Sequence, residues 1–243
     1  MLKYIYIIVL TLLTCTTTNG QTINSARNIA MGTHVAFDAT IDSIVRVYSD
    51  SLTACMGRHL GQCTETMISR RPESPLMRFV ADALMFEGIK MAKDKGLNHP
   101  IVTLSNAGGI RADLREGEIT VRNIYEIAPF ENKVVMMVLT PRQLRDVAYH
   151  IASRGGEAIA GWSFRLEDGT AKRIKVHEEL IDKDKMYTLI TVDYLATGGD
   201  QFKCLTNIPV VASGRLFREV LTEYIESISA QGKDIVPPMD ERI

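Results

Sequence analysis

Ile101-Val102-Thr103-Leu104-Ser105-Asn106-Ala107-Gly108-Gly109-Ile110-Arg111 is the stretch on which the reading of the fold turns. Its apolar, β-branched opening predicts a short strand over Ile101–Leu104. The strand runs abruptly into an amide, two glycines and an arginine. Paired glycines at a strand exit let main-chain groups approach a ligand closely. Asn106 adds an amide, and Arg111 a planar fork suited to phosphate or carboxylate. The competing reading of the same residues is a tight turn with a structural arginine.

Downstream, Glu118–Val121 predicts a short strand, and Val121–Ile127 a turn of helix ahead of Ala128-Pro129-Phe130. Val134–Leu139 is strongly strand-like. Thr140-Pro141 then pairs a cap with a first-turn proline and opens a helix to about Ser153, broken by Gly155-Gly156. Further strands are expected near Phe164–Leu166, Ile174–Val176 and Tyr187–Val192, followed by the turn Ala196-Thr197-Gly198-Gly199-Asp200 and a last helix from Gly214 to about Ile228. Upstream, Arg71-Pro72-Glu73-Ser74-Pro75 precedes a helix over Leu76–Lys93, with Ser74 as N-cap and Pro75 at the first helical position. Ile41, Ile44, Val45, Tyr48 and Leu52 fall on one face of a further helix, which Asp38 or Thr40 could cap. Helices and strands alternate, but the strands are short and irregularly spaced, and no Gly-x-Gly-x-x-Gly follows a strand. This is not a doubly wound dinucleotide fold.

Residues 1–20 have one early lysine, an apolar run from Ile5 to Leu13 and a small polar tail, the layout of a secretory signal rather than of a spanning helix. Leu12-Leu13-Thr14-Cys15 also resembles a bacterial lipoprotein cleavage box, so lipid attachment at Cys15 stands beside soluble export. Residues 21–37 read as a linker or arm, 38–228 as the domain and 229–243 as a tail. With 28 basic and 29 acidic residues in 243, a general nucleic-acid surface is not expected. Cys55, Cys63 and Cys204 remain beyond the leader; they read as small hydrophobes, with a Cys55–Cys63 bridge as the alternative in an oxidising compartment.

Two more segments join glycines or prolines to aromatic and charged residues: Pro129-Phe130-Glu131-Asn132 and Asp193-Tyr194-Leu195-Ala196-Thr197-Gly198-Gly199-Asp200-Gln201-Phe202. Taken singly, the first reads as core and the second as a turn. Together with Asn106–Arg111, in this order and spacing, they resemble the C-terminal, substrate-specificity domain of the 5'-nucleotidase family, which includes bacterial periplasmic UDP-sugar hydrolases and animal ecto-5'-nucleotidases. Arg71-Pro72-Glu73-Ser74-Pro75-Leu76 with Val80-Ala81-Asp82-Ala83 resembles the family's Glu-Ser-x-Leu-Gly-Asn-Leu-x-Ala-Asp-Ala signature, although Leu76, Met77 and Arg78 depart from its Gly-Asn-Leu. The resemblance covers about residues 38–228. It implies an α/β (α+β) fold, a four-layer helix–sheet–sheet–helix sandwich with mixed sheets.

The resemblance also implies a substrate-binding set. Asn106 and Arg111 hold the substrate, with Gly108 and Gly109 between them, and Arg71 reaches toward its phosphate side. Phe130 and Tyr194 sandwich the base, and Asp200, after Gly198 and Gly199, bonds the ribose. Stacking between aromatic faces and an arginine–phosphate contact are both physically apt. Tyr194 stands where phenylalanine is common and would still stack.

Family enzymes hydrolyse with a two-metal centre in a separate calcineurin-like domain. Such a centre needs carboxylates and imidazoles converging on ions about 3.5–4 Å apart. His34, His59, His99, His150 and His177 are scattered and form none of the family's metal motifs. No catalytic or metal-ligating residue is therefore assigned, and no cofactor; divalent metals are expected in a partner. The implied partners are a nucleoside 5'-phosphate, nucleoside or nucleotide sugar, and a separately encoded metallophosphatase. Nucleic-acid polymers are not expected, and a membrane only through Cys15. The expected location is the bacterial periplasm or a membrane facing it. The alternative function is a non-catalytic, exported nucleoside- or nucleotide-binding module.

Overall fold

Strand β9, Tyr187–Val192, is buried at all six positions, which makes it the centre around which the fold is built. A strand covered on both faces loses the usual polar alternation, and Tyr-Thr-Leu-Ile-Thr-Val has lost it. Both of its threonines are buried; Thr191 satisfies its hydroxyl by donating to the Leu104 carbonyl at 2.8 Å. The computed structural model describes Gly32 and residues 38–243, so the leader, Cys15 and nearly all of the arm at 21–37 lie outside the described residues.

The chain divides into two units, Met1–Val47 and Tyr48–Ile243. Helix α1, Ala39–Met56, runs through the boundary. Asp38 caps it, its carboxylate accepting from the N–H groups of Thr40 and Ile41. The apolar residues Ile41, Ile44, Val45, Tyr48 and Leu52 are all exposed.

Within the second unit the elements are β1 (His59–Cys63), α2 (Pro75–Asp94), β2 (Ile101–Ser105), β3 (Gly117–Thr120), α3 (Val121–Ile127), β4 (Lys133–Leu139), α4 (Pro141–Ser153), β5 (Ala158–Ala160), β6 (Trp162–Glu167), β7 (Thr170–Val176), β8 (Glu179–Leu180), β9, α5 (Asp193–Ala196), β10 (Val210–Leu216) and α6 (Phe217–Ser229). The largest sheet has the order β10-β4-β9-β2-β5; only the β2–β9 pair is parallel. An antiparallel sheet β6-β7-β8 and the antiparallel pair β1-β3 complete a mixed α/β fold with several sheets.

Helix α2 lies on β2, β5 and β9 and against α6, burying Leu76, Met77, Phe79, Val80, Leu84 and Met91. Ser74 holds the N-cap position, yet its hydroxyl accepts from the Arg70 N–H rather than from the helix. Helix α4 is capped as its sequence predicts: Gln143 N–H donates to Thr140 Oγ1 at 3.2 Å, and Thr140 N–H to Gln143 Oε1 at 2.8 Å. Such a reciprocal pair is worth about 1 kcal/mol. It helps fix a helix whose C-terminus delivers His150 and Arg154 to the site described below.

One expectation is corrected. Gly214–Leu216 belongs to β10, and the last helix starts at Phe217. The segment after Val192 is a short helical turn, α5, followed by a 3-10 turn at Gly199–Gln201. The segment that composition reads as a tail is tied to the body of the unit. Ile235 is buried and donates its N–H to the Gln62 carbonyl at 2.8 Å. Arg242 is buried and pairs with Asp82 and Asp240 while donating to the Ile159 carbonyl at 2.9 Å. Burial raises the pKa of Asp82, against the pull of Arg242; the Arg242 hydrogen bond lowers that of Asp240. Cys55, Cys63 and Cys204 are all free, with Cys63 buried and Cys55 exposed.

Candidate functional site

Topology gathers the three singled-out segments at one end of the large sheet. Because β2 and β9 are parallel, their C-terminal ends emerge side by side, leading into Asn106 and Asp193 respectively. Strand β4 runs antiparallel to β9 with Val134 opposite Val192, so the Phe130 loop enters the sheet at the same end. Strand β5 is antiparallel to β2 with Ala158 opposite Ser105, which brings Arg154–Glu157 there too. Strand β10 ends opposite Lys133, adding Arg218 from the start of α6. Crevices outside the carboxyl ends of parallel strands are the usual ligand sites of α/β sheets.

Asp200 is the hub. Asn106, only 5% exposed, donates from Nδ2 to Asp200 Oδ2 at 2.8 Å. The Tyr194 hydroxyl donates to Asp200 Oδ1 at 3.2 Å and accepts from the Asp200 N–H at 3.2 Å. His150 Nε2 and Arg154 Nη1 both reach the Asp200 carbonyl oxygen, at 3.0 and 3.2 Å. Arg154 Nη2 lies 3.4 Å from Asp200 Oδ2. Asp200 sits at φ 49°, a left-handed conformation that asparagine and aspartate tolerate better than other residues with a side chain.

Behind this hub lies a second carboxylate, fully buried. Glu157 Oε1 accepts from Arg154 Nε at 2.8 Å and from Arg71 Nη2 at 2.5 Å, and Glu157 Oε2 accepts from the Ala107 N–H at 2.5 Å. Arg71 also donates from Nε to the Gly156 carbonyl at 2.8 Å. Burial works against the charge of Arg154, but its hydrogen bond to Glu157 and the charges of Glu157 and Asp200 prevail, and its pKa is raised.

Two of the glycines are required by close approach. A methyl group on Gly109 would stand 2.8 Å from Asn106 Oδ1, and one on Gly199 would stand 2.5 Å from the Tyr194 carbonyl oxygen and 2.6 Å from its ring. Contacts that short force a neighbour to move. Gly108 lies beside the Asn106 amide, and Gly198 adopts φ 94°.

The aromatic candidates are both partly open to solvent: Phe130 is 48% exposed and Tyr194 43%. Exposed aromatic rings beside polar groups are binding-competent surface. Asp193 Oδ1 accepts from the N–H of Lys133, the first residue of β4, at 3.0 Å and from the Tyr194 N–H at 2.9 Å. Arg218 grips the Phe130 loop from below, donating to the Pro129 carbonyl at 3.3 Å and to Glu131 Oε1 at 3.0 Å, with its guanidinium 4.8 Å from the Tyr125 ring centre. Arg111 donates to the Gly108 carbonyl at 3.2 Å.

The structure thus brings Asn106, Tyr194 and Asp200 into one hydrogen-bonded cluster with Gly108, Gly109 and Gly199 packed against it. Arg71 joins that cluster through Glu157; Arg111 reaches only the Gly108 carbonyl, and Phe130 lies on a neighbouring loop held by Arg218. Sequence reasoning missed His150, Arg154, Glu157, Asp193 and Arg218. The Arg154-Gly155-Gly156-Glu157 run, with two charges flanking a glycine pair at a helix end, was the available signal. Among the described residues no group of three or more His, Cys, Asp or Glu side chains gathers to hold a metal ion. No described helix is long and apolar enough to cross a membrane.

The chain is a mixed α/β domain with a polar cluster at the strand ends. The model of the family described as 5'-nucleotidase, C-terminal domain, matches residues 59–207, more than half of the chain, and the chain belongs to that family. Protein UshA of Escherichia coli K12 is 31% identical over 142 residues, which are 56% of this chain and 26% of the relative. The 5'-nucleotidase of Mus musculus is 25% identical across 92% of this chain and 43% of its own length. Among solved structures, the 5'-nucleotidase precursor of Thermus thermophilus superposes with a TM-score of 0.68 at 22% identity, covering 84% of this chain and 42% of that one, a likeness of fold. The chain spans less than half the length of these relatives.

Proposed function

We propose that this chain is the substrate-recognition half of a 5'-nucleotidase or nucleotide-sugar hydrolase. A purine or pyrimidine base stacks between Phe130 and Tyr194, the ribose hydroxyls bond Asp200, and Asn106 and Arg111 hold the substrate on its phosphate side. Arg71, with Nε and Nη2 committed to Gly156 and Glu157, has Nη1 left to offer the phosphate. The observation that carries this reading is the Asn106–Asp200–Tyr194 cluster at the strand ends, within the region matched by the family.

Hydrolysis is assigned to a separate metallophosphatase chain, which supplies the divalent metals. What this chain's residues do is position: the energy of base and ribose binding orients the phosphate toward those metals, which converts affinity into rate. The reading includes export, with the leader at residues 1–20 directing the chain to the periplasm or to a lipid-anchored position beside it.

Titration calorimetry of the chain with adenosine, AMP and UDP-glucose, repeated with Phe130→Ala and Tyr194→Ala, tests the recognition step. Saturable binding weakened in both variants is expected. Binding untouched by either substitution contradicts the sandwich. Addition of a metallophosphatase chain should then release inorganic phosphate from AMP at a rate that depends on both chains; no such release with a binding-competent chain favours the non-catalytic binding module.

A further inference from the structure

Beside Asp200 lies a buried carboxylate whose hydrogen bonds all run to other parts of the chain. Glu157 is fully buried, and its carboxylate oxygens are shared among the Arg154 guanidinium, the Arg71 guanidinium and the Ala107 N–H. An unpaired buried carboxylate is costly, so this one is held in place by partners it holds in return. One partner, Arg154, continues to Asp200, reaching its carbonyl oxygen at 3.2 Å and its carboxylate at 3.4 Å. Another, the Ala107 N–H, opens the 3-10 turn Ala107–Gly109, directly after Asn106.

Asp200 needs that support. It occupies a left-handed conformation, its neighbour Gln201 does likewise at φ 64°, and its carboxylate stands between an amide donor and a phenol. Three donors could each draw the carboxylate a different way. With Nε held by Glu157, Arg154 is fixed where its remaining nitrogens address both the backbone and the side chain of Asp200. Planar, forked donors transmit such geometry better than a single-point cation does.

We propose that Glu157 is a positioning residue that sets ribose recognition: through Arg154 it orients the Asp200 carboxylate, and through Ala107 it fixes the height of the Asn106 loop against it. The inference rests on the nucleoside-binding reading given above. Glu157 therefore governs preference for the sugar hydroxyls while leaving base stacking, which belongs to Phe130 and Tyr194, unaltered. In a double-mutant comparison Glu157 and Asp200 behave as one unit, because both act at the same hydroxyls.

The test compares adenosine with 2',3'-dideoxyadenosine, which keeps the base and lacks the hydroxyls. Affinities are measured for the wild-type chain, Glu157→Gln, Arg154→Gln and Asp200→Asn, with circular dichroism and thermal melting as the check on folding. Wild type is expected to prefer adenosine by about tenfold, the worth of a charge-assisted hydrogen bond to a hydroxyl. Glu157→Gln and Arg154→Gln should each lose most of that preference with dideoxyadenosine affinity unchanged; Asp200→Asn should lose the preference as well, and Glu157→Gln in an Asp200→Asn background should lose little more. Arg154→Gln breaks the same relay while Glu157 keeps Arg71 and the Ala107 N–H, so it decides the matter if Glu157→Gln does not fold. A wild-type preference retained in a folded Glu157→Gln or Arg154→Gln chain overturns the positioning role alone. Loss of affinity for both ligands equally also overturns it, since that is a general structural effect. No saturable binding by the wild type overturns the nucleoside reading and this inference with it.

Discussion

Substitution of Asp200 separates three contributions that the structure superimposes at one residue. Its side chain accepts from Asn106 and Tyr194 and pairs with Arg154, and its backbone lies at φ 49°. Asp200→Asn keeps an acceptor for Asn106 and keeps a residue type that tolerates the left-handed region, but removes the charge facing Arg154; a cost of about 1 kcal/mol is expected, since the pair is partly open to water. Asp200→Gly removes every side-chain contact and relaxes the backbone. Asn106 is nearly buried, so its stranded amide costs about 2 kcal/mol. Asp200→Ala strands the same amide and adds a Cβ that disfavours the left-handed conformation by about 1 kcal/mol, for a total of about 3 kcal/mol. Urea unfolding followed by circular dichroism, with slopes unchanged among variants, gives the ordering directly. The expected order of stability is wild type, Asn, Gly, Ala. Alanine as stable as glycine would refute the backbone argument, and asparagine as damaging as alanine would show that charge, not hydrogen-bond geometry, dominates the hub.

Three other outcomes follow from particular contacts. Gly199→Ala places a methyl against the Tyr194 carbonyl and ring, so it should displace Tyr194, destabilise by about 1–3 kcal/mol and abolish stacking-dependent binding, read by melting and calorimetry together. Arg242→Ala leaves the half-buried Asp82 without its hydrogen-bonded cation and should cost about 1–2 kcal/mol at neutral pH in urea unfolding. With Arg242 gone the Asp82 pKa rises further, so the folded state gains relative stability as pH falls through that value, and the deficit should shrink in acid. Tyr224 is pushed up to about 12 by burial, with Asp82 adding to the shift and Arg242 opposing it. Its neutral form stabilises the fold below the ordinary tyrosine pKa of about 10, and that contribution is lost as pH rises through about 12. Tyr224→Phe should therefore flatten the alkaline arm of a stability–pH curve, and an unchanged arm would contradict the assignment.

Much of the fold was legible because local chemistry and tertiary environment agree. Thr140-Pro141 and Gln143 define the start of α4, and Val134–Leu139 and Tyr187–Val192 are apolar enough to declare themselves as central strands. Strand β10 was not legible. Val-Val-Ala-Ser-Gly-Arg-Leu has no alternation, is largely exposed at an edge, and shifts register between Ala212 and Leu216 around Gly214 at φ 80°. Periodicity also failed to say which apolar faces are covered: the residues of α1 share a face, and that face is exposed. At the site, the glycine pairs marked the loops in sequence, whereas Phe130, Tyr194 and Asp200 were singled out through the family resemblance, since their segments taken singly read as core and turn. Glu157 and Arg154 left little, since a charge destined for burial looks like any surface charge until its partners are folded against it; Asp200 is 46 residues from Arg154, and Ala107 is 50 from Glu157.

The most direct test of the recognition site is a crystal structure of the chain with adenosine. The account places the base between Phe130 and Tyr194, with the ribose hydroxyls within hydrogen-bond distance of Asp200. Adenosine seated away from both rings, or with its ribose turned from Asp200, would contradict it.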